Sequence, residues 1–265
     1  MQIIKYPKQI DWVKILQRPF TNGSSLEKKV RKVLNNVKKH GDTAVREYTE
    51  AFDGVQLKSF VTSKSEIAGA EKLITKDLKQ AITNAKNNIE KFHAGQLRPV
   101  EIIQTMPGIQ CWRKNVAIEK VGLYVPGGTA PLFSTLLMLG IPATLAGCKR
   151  IVVCSPPGKN GRLHPAILFV AHLLGIHEVY KIGGVQAISA LAYGTKTIAS
   201  VNKIFGPGNQ FITCAKQLVQ LMAWPWICLP GRAKWRCLQM QPQMHHLSRR
   251  TYCPRLNTGQ IARCF

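Results

Sequence analysis

Val121-Gly-Leu-Tyr-Val-Pro-Gly-Gly-Thr-Ala-Pro131, followed by the apolar run from Leu132 to Ala146, is the stretch on which the architecture turns. Val121 to Val125 forms a short apolar strand, Pro126 to Pro131 a turn, and Leu132 to Ala146 a helix kinked at Pro142. The same order recurs three times downstream. Arg150-Ile-Val-Val-Cys154 is a strand closed by Ser155-Pro-Pro-Gly158, with a helix from Pro165 to Leu174. Glu178-Val-Tyr-Lys-Ile182 and Gly183-Gly184 precede a helix from Gln186 to Tyr193. Lys203-Ile-Phe205 and Gly206-Pro-Gly-Asn209 precede a helix reaching Gln220. Four strand-loop-helix units predict an α/β fold, a parallel sheet with right-handed crossovers and helices on both faces. Ligands of such sheets bind at the carboxyl ends of the strands, where every loop here carries Gly or Pro. Neither G-x-G-x-x-G nor G-x-x-x-x-G-K-S/T is present. The pattern alone therefore leaves a nucleotide or phosphorylated ligand and a purely structural use of these turns equally open.

Upstream, the texture is helical. Ser24-Ser-Leu-Glu27 has the form of a capping box, and Leu26, Val30, Val33, Leu34 and Val37 follow at helical spacing until Gly41. Asp42 is expected to cap a second short helix through Val45 and Tyr48. Ser65 is expected to begin one long helix with the stripe Ile67, Ala70, Ile74, Leu78, Ile82, Ala85, Ile89 and Phe92. The intervening lysines read as a solvated face. Val100 to Lys114 reads as a hairpin around Met106-Pro-Gly108. The expected organisation is an N-terminal segment (1–22), a helical and α+β part of an incomplete first domain (23–120), a Rossmann-like domain (121–220) and a distinct tail (221–265).

The chain has 265 residues, a formal charge of +24 and 45% hydrophobic residues, which excludes a disordered tail protein. Residues 1–220 hold 30 basic and all 13 acidic residues, net +17, whereas 221–265 hold 7 basic residues and no acid. A charge of this size raises a second class of function, a basic nucleic-acid-binding protein. No zinc-finger, helix-turn-helix or aromatic RNA-binding signature accompanies it. No run reaches the roughly 18–20 apolar residues of a membrane span, and the start lacks the apolar core of a signal peptide. A cytoplasmic protein with reduced cysteines is expected, with Cys111, Cys148, Cys154 and Cys214 packed as small hydrophobes.

The wording of the loops is more specific than their pattern. Val121-Gly-Leu-Tyr-Val-Pro-Gly-Gly-Thr-Ala-Pro-Leu132, Gly183-Gly-Val-Gln-Ala-Ile188 and Lys203-Ile-Phe-Gly-Pro-Gly-Asn209, in this order and spacing, resemble histidinol dehydrogenase. Gly41-Asp-Thr-Ala-Val-Arg-Glu-Tyr-Thr49 does so too. The likeness covers residues 1 to about 220. It implies incomplete Rossmann-like domains, a homodimer, and oxidation of L-histidinol through the aldehyde to L-histidine with NAD and zinc. Carried onto matching positions, it implies Tyr124, Gln186 and Asn209 as NAD contacts: an aromatic face with a hydroxyl, and two amides at helix starts. Ala117 stands where the family usually has proline, which should loosen the turn before the strand.

Beyond Gln220 the family pattern should continue near Gly-Val-Ala-Met-Asp-Met-Pro-Ala-Gly-Pro-Ser-Glu. The chain instead reads Met222-Ala-Trp-Pro-Trp-Ile-Cys-Leu-Pro-Gly-Arg-Ala-Lys-Trp235. Joining each codon's third base to the next codon's first two forces Gly across Met222 and Ala223, Ala across Trp224 and Pro225, and Asp across Trp226 and Ile227. The intervening junctions permit the rest. Further on, Met244 into His245 forces Ala, Tyr252 into Cys253 forces Leu, and Cys253 to Gly259 permits Ser-Gln-Ala-Glu-His-Gly. The tail from about 221 is thus expected to be a frameshift product. Its cysteines lack paired C-x-x-C spacing, so no zinc site is expected there. The resemblance implies zinc ligation by the Gln and His of Ser-Gln-Ala-Glu-His-Gly with a further Asp and His, and proton transfer by a Glu and His pair. All are missing in this frame. An inactive chain with weak NAD affinity, exposed apolar area and poor solubility is expected.

Overall fold

The computed structural model describes residues 8–12, 23–97, 99–113, 115–127 and 131–222. Most of the expected 1–22 segment, Gly128 to Ala130 of the first loop and the tail from 223 lie outside the described residues. After a 3-10 turn (Gln9–Asp11), the chain forms α1 (Gly23–His40) and α2 (Asp42–Asp53), two amphipathic helices that turn at Gly41. Gly41 has φ +55°, and its amide closes α1 by donating to the Val37 carbonyl at 2.8 Å. Two local expectations change here. Ser24 to Glu27 falls within α1, with Glu27 2.7 Å from Arg31 one turn on. Gly41, not Asp42, is the N-cap of α2, because the Asp42 carboxylate accepts the Thr197 hydroxyl at 2.6 Å.

The long helix expected from Ser65 is divided into α3 (Lys64–Gly69), a 3-10 turn (Ala70–Leu73) and α4 (Lys76–Ala94). Ile74 is extended (φ −121°, ψ 151°), and the Thr75 hydroxyl accepts the Leu78 amide at 3.3 Å, starting a new helix inside an unbroken apolar stripe. The capping box in this region is Ser63 with Glu66: Oγ accepts the Glu66 amide at 3.1 Å, and the Glu66 carboxylate accepts the Ser63 amide at 2.9 Å. The expected hairpin follows as β1 (Ile102–Met106) and β2 (Ile109–Trp112). Ile102, Ile103, Met106, Ile109 and Trp112 are all exposed on it. Cys111 is exposed as well, contrary to the packed role expected of it, because this two-stranded ribbon pairs only with itself among the described residues. Cys154 is buried, and Cys148 and Cys214 are half-buried.

The remaining units are β3 (Lys120–Tyr124), α5 (Phe133–Leu145), β4 (Arg150–Ser155), α6 (Pro165–Leu173), β5 (Glu178–Lys181), α7 (Gly184–Tyr193), β6 (Lys203–Phe205) and α8 (Gln210–Met222). The strands form one parallel sheet in the order β5-β4-β3-β6, in register from Lys120 opposite Arg150 to Tyr124 opposite Cys154. Because side chains alternate along a strand, this sheet feeds two cores. Val121, Leu123, Val153 and Val179 pack with α5 and α6 and, behind them, α3 and α4. Tyr124, Val152, Cys154 and Ile204 pack with α7 and α8 and, behind them, α1 and α2. The chain is thus α/β with helices on both faces, and the N-terminal helices are the outer layer of both cores.

Residues 60–62 also seal the β5 edge. The Thr62 amide donates to the Val179 carbonyl at 2.9 Å, and the Lys181 amide donates to the Phe60 carbonyl at 2.8 Å. At the opposite end of β4 and β5, Arg150 clasps the Glu178 carboxylate through Nε at 2.7 Å and Nη2 at 2.5 Å. No helix among the described residues is long and apolar enough to cross a membrane.

Candidate functional site

The carboxyl ends of the parallel strands open into a cleft of about 1480 Å³. One wall is the α1–α2 pair, contributing Lys29, Lys32, Phe52 and Asp53; the other is the loop from Ser155 to Leu163. The starts of α6, α7 and α8 meet it through Pro165, Gly184 and Asn209. Three helix N-termini meet at one cavity, and the positive ends of their dipoles favour an anionic ligand, while side chains already accept first-turn amides of α6 (His164 from Ala166) and α8 (Asn209 from Phe211 and Ile212).

The Gly and Pro residues of the loops are explained by how closely the loops approach. A Cβ on Gly127 would stand 2.4 Å from Pro156, and one on Gly183 would stand equally close, so Pro156 wedges between the loops that leave β3 and β5. Gly206 has φ +129°, and a Cβ there would lie 2.0 Å from the Tyr124 carbonyl oxygen. The Gly206 carbonyl accepts the ammonium of the fully buried Lys216. This joins the ends of β3 and β6 and the flank of α8.

Tyr124 lines the cleft and is nearly buried, with its hydroxyl oxygen accepting the Gly184 amide at 3.3 Å. Burial pushes its phenol up to about 12, against a lowering by that amide and with a smaller push from the Asp53 carboxylate, so it is a neutral hydroxyl at physiological pH. Asn209 lines the cleft and caps α8, its Oδ1 accepting the Phe211 and Ile212 amides at 3.1 Å each. Gln186 is fully buried and does not line the cleft; its amide lies against Gly184, where a Cβ would be 2.4 Å from Oε1. Neither polar atom of that amide has a hydrogen-bond partner among the described residues.

Two further groups are unpartnered in the same place. Ser155 Oγ, at the end of β4, and Asp53 Oδ2, at the end of α2, are buried atoms without a partner among the described residues, and both residues line the cleft. Burial raises the Asp53 carboxyl from 3.8 to about 6. Leaving buried polar atoms unpaired costs roughly 1–3 kcal/mol each, so such a cluster fits a ligand better than it fits stability. Among the described residues, Asp53 is also the sole acid lining the cleft, against Lys29, Lys32, Lys159 and Arg162. Nothing in the sequence distinguishes Asp53 or Ser155, since one ends an ordinary helix and the other an ordinary strand.

The arrangement suits an extended ligand with hydroxyl, amide and phosphate groups. Among the described residues no three His, Cys, Asp or Glu side chains assemble into a set that could hold a metal. A family model described as histidinol dehydrogenase matches residues 16–223. The chain is 56% identical over 221 residues to the histidinol dehydrogenase of Bacteroides thetaiotaomicron, covering 83% of this chain and 52% of that protein. It is 46% identical over 206 residues to that of Escherichia coli K12, covering 77% of this chain and 46% of that protein. The crystal structure of histidinol dehydrogenase from Elizabethkingia anophelis superposes with a TM-score of 0.80 at 47% identity, covering 85% of this chain and 52% of that one. The chain thus spans about half the length of the curated relatives it matches.

Proposed function

The chain belongs to the histidinol dehydrogenase family, and from that premise we propose that its cleft is the NAD site of an enzyme oxidising L-histidinol through L-histidinal to L-histidine in histidine biosynthesis. The observation that supports this most is that Tyr124 and Asn209 line one cleft at the carboxyl ends of the strands, with Gln186 buried beneath its Gly184 edge, beside buried polar atoms without a partner among the described residues. Tyr124 would offer its hydroxyl and ring edge, Asn209 the amide nitrogen that its cap leaves unused, and Gln186 the amide beneath Gly184. The basic wall and the helix starts would hold the phosphates. When bound, NAD would supply the hydride acceptor; the protein would orient it and exclude water from its reactive face. We assign a small-molecule substrate, a homodimeric assembly and a cytoplasmic setting by the same family reading. Nucleic acid is not assigned as a partner, because the lysines are spread over several helices.

The donor set for zinc does not fit: the Gln and His of the family's Ser-Gln-Ala-Glu-His-Gly are legible only in another reading frame. We derive no step through zinc. The frameshift reading of residues from about 221 is supported by the forced Gly, Ala and Asp junctions and by the family match ending at residue 223. This chain is accordingly proposed to be inactive. Purified full-length chain given L-histidinol, NAD and zinc should form no NADH, and measurable turnover would overturn the proposal. Sequencing the DNA across codons 215–225 and downstream should reveal a family-like frame offset by one or two bases.

A further inference from the structure

We propose that Asp53, reaching the cleft from the helical N-terminal region, is the residue that holds the ribose cis-diol of the dinucleotide and selects NAD over its 2′-phosphorylated form. This deepens the reading of the cleft as an NAD site and rests on it. In dinucleotide-binding sheets of the usual kind, an acid about 20 residues beyond the first strand's glycine loop accepts the ribose hydroxyls. Here β4, the next strand, ends in Cys154, Ser155 and Pro156 and carries no acid at its carboxyl end. Among the described residues the cleft nevertheless contains one carboxylate, and it comes from α2. Its placement has no structural benefit. Asp53 is the last residue of α2, where the helix dipole is negative and disfavours an anion. Oδ2 is buried, accepts no hydrogen bond among the described residues, and lies close enough to Tyr124 for its charge to act on that phenol.

A carboxylate with a free, desolvated oxygen accepts hydrogen bonds from vicinal hydroxyls and repels a phosphate ester placed where a hydroxyl should be. The four basic residues of the cleft walls do not replace this function, since they offer only donors. They suit the pyrophosphate, leaving Asp53 as the charged acceptor for a ribose, with the Ser155 hydroxyl a neutral one.

The test is equilibrium binding of NAD and NADP to the full-length chain and to its Asp53→Asn and Asp53→Glu variants, with thermal melts verifying that each is folded. The wild type should prefer NAD by tenfold or more. Asp53→Asn should weaken NAD about tenfold, the loss expected for a charge-assisted hydrogen bond, and narrow the preference to below about threefold. Asp53→Glu, which keeps the charge, should keep the preference even where affinity falls. A folded Asp53→Asn protein with unchanged NAD affinity and unchanged preference overturns the inference while leaving the NAD site standing. A wild type that binds neither dinucleotide overturns the NAD reading itself.

Discussion

Replacing Gly206 by alanine tests whether the loop after β6 is held against β3 as tightly as the cleft requires. The added methyl would sit 2.0 Å from the Tyr124 carbonyl oxygen and 2.9 Å from its carbonyl carbon, both backbone atoms that no side-chain rotation can move away. It must also adopt φ near +129°, where L-residues are strained. Strain of this kind costs about 1–3 kcal/mol, and overpacking adds about 1–3 kcal/mol. Together these amount to about 2–6 kcal/mol, and a loss of about 3 kcal/mol is already a large share of a typical stability of roughly 5–15 kcal/mol. For a chain of this size that corresponds to a fall in melting temperature of about 6–12 °C. Gly54→Ala is the control. Gly54 has φ +68° but nothing within 4 Å of its Cβ position, so it should cost only about 1–2 kcal/mol. Circular-dichroism melts of both variants measure the difference, and titration with NAD measures whether parting β3 from β6 also separates Tyr124 from Asn209. If Gly206→Ala melts within a degree or two of Gly54→Ala and binds NAD as the wild type does, the close approach has no part in building the cleft.

Other outcomes follow from single groups. Asn209→Ala should destabilise the chain by about 1 kcal/mol through loss of the cap on α8, whereas Asn209→Asp should keep the cap; urea titrations of the two separate the cap from any effect on NAD affinity. The Asp53 carboxyl is raised from 3.8 to about 6, so the folded chain holds a proton that the unfolded chain releases. Its favourable contribution is complete below about pH 4 and is lost as pH rises through about 6. Asp53→Asn should therefore be more stable than wild type at pH 7.5, by about 1 kcal/mol once solvent screening of this half-exposed group is allowed for, with the difference vanishing near pH 4. Thermal melts across that range provide the test, and a variant less stable than wild type at pH 7.5 would refute the assignment. That same carboxylate, costly without a ligand, is the one assigned to the ribose, which is how a binding group can persist against stability.

The sheet was legible because each strand is a short apolar run bounded by Gly or Pro. The expected strand from Arg150 to Cys154 and the observed β4 from Arg150 to Ser155 differ by one residue. The helix expected from Ser65 is interrupted, although the stripe from Ile67 to Phe92 keeps helical spacing across the break. Invisible to periodicity, the extended backbone of Ile74 and the Thr75 hydroxyl that accepts the Leu78 amide divide it. Tyr124 and Asn209 are implied by the family resemblance, and both line the cleft because their loops lie at strand carboxyl ends. Asp53 was not legible, since its place in the cleft depends on how α2 packs on α7, a contact between segments far apart in sequence. The burial of Gln186 was likewise hidden, for its fit beneath Gly184 arises from a positive φ of 62° at that glycine.

The crystal structure of the full-length chain with NAD tests the central claim most directly. The account predicts the dinucleotide lying across the carboxyl ends of β3 to β6, in contact with Tyr124 and Asn209 and with a ribose on Asp53. NAD bound elsewhere on the chain, or a cleft left empty at saturating NAD, would contradict it.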